Sequence, residues 1–340
     1  MHKPQYDIVF LSNIPSFYKV KQWNEVAKHK RILVLLTKTN GKERNADFVS
    51  ESLNCDYKFL QGNAFKKGWQ LAQILRNTKF DHLVIGGWDE PTFHVAAWLS
   101  HKSKNAVVCE SSIFEYQPSA IKDIIKKYFL KRISIGYPSG KPQGRLLRKF
   151  GFSGDLHYTG GCGLLNYIDQ PPFESRNKVR NFIYVGRLAP EKNLEMLISV
   201  FNSFPHLTLT IIGFGPMEAQ LKAIAGKNIL FTGAIPNKEL ATYYQQADCF
   251  ILPSIREPWG LVVEEALNNG CPVIVSDKVG CNEDLVTDET GIVFQYDKPT
   301  SLAEAIKKIC DFDFYNRLRQ GVSRIDFAKR AQKQIEIYLD

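Results

Sequence analysis

Two short stretches bring together residue types that could do chemistry. The first is Tyr184-Val-Gly-Arg-Leu-Ala-Pro-Glu-Lys-Asn193, followed by the helical pattern LEMLISVFN. Gly186 allows a tight turn after a strand ending at Val185, and Asn193 is placed to cap the following helix. Arg187 and Lys192 flank this turn at the C-terminal end of a strand, the edge where open α/β sheets bind ligands. Two cations beside helix N–H groups would hold a diphosphate. On spacing alone they read equally well as exposed loop charges. The second stretch is Leu252-Pro-Ser-Ile-Arg-Glu-Pro-Trp-Gly-Leu-Val-Val-Glu-Glu-Ala266. Pro258 fixes Glu257 in an extended conformation before a helix begins, and Glu265 follows about two turns along it. Paired carboxylates beside a cationic diphosphate site suit a polyol, because they accept hydrogen bonds from sugar or ribose hydroxyls. Glu264 points about 100° away from Glu265 and reads as a solvent or salt-bridge residue.

Other motifs are less specific. Ile211-Ile-Gly-Phe-Gly-Pro216 lacks the third glycine of a dinucleotide fingerprint, so Gly213 reads as a strand-to-helix turn near a ligand. The loop Asp277-Lys-Val-Gly-Cys-Asn-Glu-Asp-Leu285 follows the apolar run PVIVS. Backbone amides at Gly280, Cys281 and Asn282 would approach a phosphate or sugar there, and an ordinary turn fits as well. Asp311-Phe-Asp313 has a metal–nucleotide spacing but falls in a polar, helical region away from any strand end. No nucleophile elbow, P-loop or Ser/His arrangement occurs. The 7 cysteines form no C-x-x-C pair, and none has a histidine pair of metal-ligand spacing beside it. Reduced buried thiols, no metal, and His94 and His101 as plain helix residues are the expectation.

The elements that must position these residues are short apolar runs alternating with helical patterns. Residues 7–11, 31–37, 82–85 and 106–109 read as strands, and the scheme repeats at 182–185, 207–212, 229–231, 249–252 and 272–275. Helical stretches such as 19–28 and 69–75 lie between them. Nearly continuous apolar strands with intervening helices mean parallel sheets covered on both faces. There are too many strands for one compact sheet, so the expectation is α/β with two doubly wound domains. The polar stretch 166–181, with Pro171-Pro172, marks the boundary. The domains are then 1–165 and 166–325, with a terminal helix over 326–340 packing back on the first.

The 340 residues are 44% hydrophobic and 23% charged, as in a soluble globular chain. No apolar run is long enough to cross a bilayer, and the N-terminus has no secretory signal. The net charge of +9 is uneven: residues 1–160 hold 25 Lys+Arg against 13 Asp+Glu, and residues 161–340 hold 19 against 22. An anionic partner should therefore meet the N-terminal half. Within it, Pro118–Arg132 reads as a basic amphipathic helix, with Ile121, Ile124, Ile125, Tyr128 and Phe129 at helical spacing. Lys122, Lys126, Lys127, Lys131 and Arg132 would face an anionic membrane; a surface helix with a solvated lysine face is the plainer alternative. The second cluster, Lys141, Arg145, Arg148 and Lys149, supports the first reading. Nucleic-acid binding is not expected, since no zinc-finger spacing or aromatic–basic repeat is present.

Taken together, GRLAPEKN, IIGFGP, FTGAIPNKEL, ADCFILPSIREPWGLVVEEALNNGCPVIVSD and GCNEDLV resemble the C-terminal domain of retaining glycosyltransferases of family 4. The resemblance is collinear over residues 182–293. The opening LSNIPSFYKVKQWNEVAK is similar, more loosely, to that of bacterial polysaccharide and lipopolysaccharide members. It implies a GT-B architecture, two Rossmann-like domains facing across a cleft. It implies that Arg187 and Lys192 neutralise a sugar-nucleotide diphosphate, that Glu257 contacts the donor sugar and that Glu265 binds ribose. Thr232 and Gly233 to Ile235 would hold the base. Pro258, Trp259, Gly260 and Leu261 would join the donor site, as would the loop from Gly280 through Cys281 and Asn282. Two departures stand out. Ser12-Asn13-Ile14-Pro15 replaces a common Gly-rich turn, and Cys109-Glu110-Ser111-Ser112 stands where many relatives have a histidine. Glu110 would orient the acceptor, or pair with the basic helix after it.

The expected activity is transfer of a sugar from a nucleotide-diphosphate sugar, UDP before GDP, to a hydroxyl of a lipid-linked, lipopolysaccharide or capsule glycan. Retention, no metal and no cofactor are expected, on the cytoplasmic face of the inner membrane. A sugar-nucleotide epimerase or phosphorylase of the same fold is the rival enzyme class. A non-catalytic polyanion- or membrane-binding module is the rival outside enzymes.

Overall fold

In the computed structural model, which describes residues 3–39 and 51–339, successive residues of the first strand enter two different cores. Val9 and Leu11 join one apolar cluster and Ile8 and Phe10 the other. The same alternation recurs at Leu33 and Leu35 against Val34 and Leu36, and at Leu83 and Ile85 against Val84. A strand that is apolar on both sides must be covered on both sides, which is what a parallel sheet with crossover helices provides.

The chain divides into two units, Met1–Leu165 with Ala328–Asp340, and Asn166–Phe327. Unit 1 holds β1 (Gln5–Ser12), β2 (Ile32–Leu36), β3 (Asp56–Phe59), β4 (Lys79–Ile85), β5 (Asn105–Cys109), β6 (Ile135–Pro138) and β7 (Asp155–Leu156). Its helices are α1 (Phe17–Val26), α2 (Ala64–Arg76), α3 (Pro91–Leu99), α4 (Ala120–Leu130) and α5 (Lys141–Lys149). The 7-stranded sheet runs β3-β2-β1-β4-β5-β6-β7, every pair parallel. The order reverses between β1 and β4.

Unit 2 holds β8 (Asn181–Val185), β9 (Thr208–Ile212), β10 (Ile229–Gly233), β11 (Cys249–Leu252), β12 (Val273–Ser276) and β13 (Gly291–Phe294). Its helices are α6 (Leu194–Asn202), α7 (Glu218–Ile224), α8 (Leu240–Gln246), α9 (Leu261–Asn268), α10 (Asn282–Leu285), α11 (Pro299–Ile309) and α12 (Phe312–Val322). The 6-stranded sheet, again parallel, runs β10-β9-β8-β11-β12-β13 and reverses between β8 and β11. The last helix, α13 (Phe327–Glu336), begins where the chain leaves unit 2, and from Ala328 onward it belongs to unit 1. The fold is thus the α/β class read from the sequence, with two Rossmann-like, doubly wound parallel-sheet domains.

The connector after Leu165 is pinned to unit 2 by named bonds. Asn268 exchanges hydrogen bonds with the Ile168 backbone, at 2.9 and 3.0 Å. Asp248, at the N-terminal end of β11, accepts from the Arg180 and Asn181 amides at 2.8 Å each and pairs with Arg176. Burial lowers the Arg176 guanidinium, but the Asp248 hydrogen bond and the charges of Tyr315, Asp248 and Cys271 together outweigh it, and the group ends above its ordinary value. Two expectations need correcting, at Glu264 and Asn193. Glu264 is fully buried instead of solvent-facing, because it accepts from the Tyr167 hydroxyl at 2.7 Å and the Trp259 indole at 3.2 Å. The Asn193 side chain does not cap α6; it donates to the Tyr296 carbonyl at 3.0 Å. Asp311 of the D-x-D pattern accepts from the Phe314 amide at 2.9 Å, and so caps α12.

Candidate functional site

The loops that follow β8, β9, β10, β11 and β12 all leave the C-terminal edge of one sheet; these loops, the end of β10 and the first turns of α9 and α10 carry the donor-site residues the sequence nominates. At this edge β8 and β11 diverge in their connections, so their loops separate and leave a crevice. Lys192 comes from the β8 side and Glu257 from the β11 side, and the two form an ion pair across that switch point. Their side chains are only 13% and 14% exposed. Ser254 adds a longer hydroxyl contact to Glu257 at 3.5 Å.

Local structure explains why the pair forms. Asn193 adopts a left-handed conformation (φ 56°), which asparagine tolerates better than most residues, and it ends the short turn carrying Lys192. The Ile255 amide donates to the Glu191 carbonyl at 2.9 Å, which ties this turn to the loop after β11. Glu257 makes an isolated parallel bridge with Val279, and the Gly280 amide donates to the Glu257 carbonyl at 2.9 Å. The extended backbone expected ahead of Pro258 is therefore held by a neighbouring loop. Glycine is required where the β8 and β9 loops cross: a Cβ at Gly213 (φ 140°) would lie 1.9 Å from the Gly186 carbonyl oxygen.

The remaining donor-site residues are placed unevenly. Arg187 is 48% exposed and pairs with Glu191 at 2.6 Å, while the buried Tyr184 hydroxyl donates to its carbonyl at 2.8 Å. Burial, then the charges of Glu257 and Glu191, push the Tyr184 hydroxyl well above its ordinary pKa, so it stays a donor. Glu265 is partly exposed and accepts from Tyr244 of α8 at 3.3 Å. Burial pushes its carboxyl up to about 7, opposed by that hydrogen bond and reinforced by the Glu264 charge. Thr232 is exposed, with Gly233 and Ile235 beside it on the edge after β10. Gly260, at φ 102°, starts α9, whose Leu261 amide begins the helix without an intrahelical acceptor.

Several nominated groups are used differently from the expectation. Trp259 and Cys281 bury their side chains in the core, which leaves any ligand contact to their backbone. The Gly280, Cys281 and Asn282 amides already donate to the Glu257, Trp259 and Val279 carbonyls at 2.9, 2.9 and 3.1 Å. They shape the loop instead of opening toward a phosphate. Asn282 is 6% exposed, and its side-chain oxygen has no partner among the described residues. Sequence reading missed Tyr184, Glu191 and Glu264 as positioning groups. Glu264 had one legible signal, its place on the first turn of a helix preceded by a tryptophan.

In unit 1, Glu110 pairs with Lys19 of α1 at 2.8 Å, not with the basic helix that follows it. Burial would lower the Lys19 ammonium, but the charge and hydrogen bond of Glu110, with the charges of Tyr18 and Cys162, together raise it above its ordinary value. The pair lines a cavity of about 30 Å³ together with Ser12, Gly86, Cys162 and Tyr338. On α4, Ile121, Ile124, Ile125 and Tyr128 point outward, with Ile121 74% exposed, while Phe129 and Leu130 go into the core. Lys122, Lys127 and Lys131 are exposed beside them. Lys126 instead lies over the Phe150 and Trp88 rings at 4.8 and 5.5 Å. Arg132 stacks on Trp98 at 4.8 Å and donates to the Ser100 carbonyl at 3.0 Å. Both are therefore tied to the fold. On α2 and α3, Phe65 (82%), Trp69, Trp98 and Leu99 are exposed as well. Arg148 and Lys149 of the second basic cluster are tied down by the Phe152 carbonyl and the Tyr116 ring. His94 bonds the Trp88 carbonyl at 2.9 Å, and His101 a neighbouring serine at 2.7 Å, so both are structural.

A parallel α/β unit with a cation–carboxylate pair at its switch point is the kind of site that grips a phosphorylated, hydroxyl-rich ligand. Comparison with known proteins narrows the class. Residues 168–324, nearly the whole of unit 2, match the family described as "Glycosyl transferases group 1". Over 157 residues the chain is 34% identical to the sulfoquinovosyl transferase of Arabidopsis thaliana, covering 46% of this chain and 30% of that protein. It is 35% identical over 128 residues to a GDP-mannose-dependent alpha-mannosyltransferase of Mycobacterium tuberculosis, covering 36% and 33%. The chain thus spans about a third of the length of the curated relatives it matches. Solved structures share the whole fold. A lipopolysaccharide outer core galactosyltransferase, WaaB, superposes with a TM-score of 0.71 or better, namely 0.73, at 16% identity over 96% of this chain and 97% of that one. Anabaena HepE in complex with UDP and glucose gives 0.71 at 15% identity over 97% and 98%.

Proposed function

We propose that this chain is a retaining glycosyltransferase. It moves a sugar from a nucleotide-diphosphate sugar to a hydroxyl of a glycan or glycolipid acceptor. The observation that carries the reading is the Lys192–Glu257 pair at the switch point of the unit that matches the group 1 family. In this reading the leaving diphosphate gathers negative charge as the glycosidic bond breaks. Lys192 and Arg187, with the amides at the start of α9, stabilise it where that charge develops. Glu257 accepts from hydroxyls of the donor sugar and Glu265 from the ribose, while the edge from Thr232 to Ile235 holds the base. The acceptor attacks from the leaving-group face, and a diphosphate oxygen takes its proton. No protein nucleophile is called for, and side-chain cations do the neutralising work without a metal.

The relatives and neighbours act on or hold different donors: a sulfoquinovosyl group, GDP-mannose, UDP with glucose. A uridine nucleotide is the first to test. Among the described residues no helix is long and apolar enough to cross a membrane. The outward apolar face of α4, fringed by Lys122, Lys127 and Lys131, supports peripheral docking on an anionic membrane. We assign that docking to the cytoplasmic face and to the making of a lipid-linked or lipopolysaccharide glycan.

The test is a thermal-shift screen of UDP-, GDP- and ADP-sugars, followed by NMR of the product of the best donor with and without acceptor. Stabilisation by one nucleotide and a product with the donor's anomeric configuration are expected. No nucleotide binding, an inverted product, or conversion of donor without acceptor would each overturn the reading.

A further inference from the structure

We propose that the concavity beyond the C-terminal ends of β2 and β3 in unit 1 is an oxyanion site, built for the phosphate or carboxylate of an acidic glycosyl acceptor. The cavity measures about 360 Å³, in the size range of small-ligand pockets, and Thr37, Lys38, Thr39, Gln61, Gly62 and Lys67 supply its polar lining. It is far roomier than the 30 Å³ beside Glu110, which accommodates little more than a water or two.

Three observations point to an anion. First, Thr37 is 3% exposed and lines the cavity, and its hydroxyl has no hydrogen-bond partner among the described residues. A buried hydroxyl is rarely left unpaired unless a ligand or water completes it. Second, Lys67 donates one ammonium hydrogen to the Thr37 carbonyl at 2.6 Å, which fixes its head at the cavity wall with two donors to spare. Lys38 sits on the rim, paired with Glu90 at 2.7 Å, and among the described residues no carboxylate lines the cavity itself. Third, α2 starts at this wall after Gly62 (φ 91°) and the Asn63 cap, with no acidic residue in its first turn. Lys66 and Lys67 stand in that turn instead, where the helix dipole disfavours cations. A negative ligand at the same place resolves the conflict, since it meets both the lysines and the helix N–H groups. A neutral sugar would draw on the threonine and Gln61 groups alone, whereas an oxyanion also engages the two ammonium groups.

That the oxyanion belongs to a glycosyl acceptor rests on the transferase reading; the site itself does not. The full chain, isotope-labelled, is titrated with inorganic phosphate, glucuronate and glucose, and amide shifts are followed at Thr37, Lys38, Gln61 and Gly62. Saturable shifts with phosphate or glucuronate and none with glucose are expected, and the stronger of the two says whether phosphate or carboxylate is the better fit. Thr37→Val and Lys67→Met should weaken binding about tenfold or more, as for loss of a hydrogen bond to a charged group. Lys38→Gln, a surface change that spares the fold, should weaken it a few-fold. No saturable shift at these amides, equal response to glucose, or unchanged affinity in Lys38→Gln and Thr37→Val would overturn the proposal. Nucleotide binding is followed in the same samples at Gly186 and Lys192. Its absence alongside intact phosphate binding would remove the transferase reading and leave this site standing.

Discussion

Both sheets place a lysine–glutamate pair beyond their C-terminal edge, at Lys192–Glu257 in unit 2 and Lys19–Glu110 in unit 1. The surroundings differ. The unit 2 pair bridges the two strands at which the sheet reverses, and Arg187, a glycine crossing and the partly exposed Glu265 share its edge. The unit 1 pair is packed among Ser12, Gln22, Trp23 and Tyr338 around a space of about 30 Å³. In the proposed reading the same two side chains grip a ligand only in unit 2, where a second cation, Arg187, stands nearby. In the tighter setting the pair chiefly holds elements together.

The largest expected effect tests that contrast directly. Lys192→Ala should cut transfer by about 100- to 1,000-fold while circular dichroism stays native. Lys19→Ala should show first in unfolding, by about 2 kcal/mol, below the usual figure for a broken buried pair because Glu110 is partly exposed. Equal losses of turnover in the two variants would erase the distinction. Next in size is the membrane face proposed for unit 1: replacing Lys122, Lys127 and Lys131 together by glutamine should weaken sedimentation with anionic vesicles about 100-fold at low salt. No binding of the parent protein would exclude that face. Glu257→Ala should reduce kcat about 10-fold or more yet change nucleotide Kd by less than about 3-fold, as for a group that holds the sugar. A collapse of nucleotide affinity in calorimetry would exchange the roles of the two acids.

The smallest effect is a pH dependence. The folded Glu265 carboxyl sits at about 7, above its value of 4.5 in the unfolded chain. The folded state thus holds the proton more tightly, and stability is lost as pH rises from the lower value through the higher. Glu265→Gln should therefore unfold at higher temperature than the parent at pH 8, by about 1 to 3 kcal/mol, and lose that advantage near pH 4.5. Nucleotide affinity of the parent should rise a few-fold from pH 6 to pH 8 as the carboxylate acceptor forms, and the variant should be flat. A flat parent would detach Glu265 from the nucleotide.

The strands that were legible in the sequence are the doubly covered ones, such as Cys249–Leu252 and Ile32–Leu36, in which every residue is buried. Those that were not have weak signals for physical reasons. Asp56–Phe59 is a polar edge strand, Ile135–Pro138 contains glycine and proline, Gly291–Phe294 opens on glycine, and Asp155–Leu156 is two residues long. Lys192 and Glu257 were readable from their positions after strands, but their direct pairing, 65 residues apart in sequence, was not. Glu264 was misread because helical direction predicts a face and says nothing of a connector laid over it. The outward orientation of the α4 isoleucines was likewise invisible, since an apolar stripe looks the same in sequence whether a core or a lipid covers it.

The return of the chain from Ala328 has a consequence for how the protein is made. Gln334 is fully buried and takes a bond from the Gly163 amide at 2.9 Å, while Tyr338 stacks on Phe10 and Tyr137 at 5.4 and 4.8 Å. The half that leaves the ribosome first thus lacks part of its own interior until the far end of the polypeptide has emerged. It waits, incompletely closed, through the synthesis of everything between, and a fragment cut after Leu165 would carry that gap permanently.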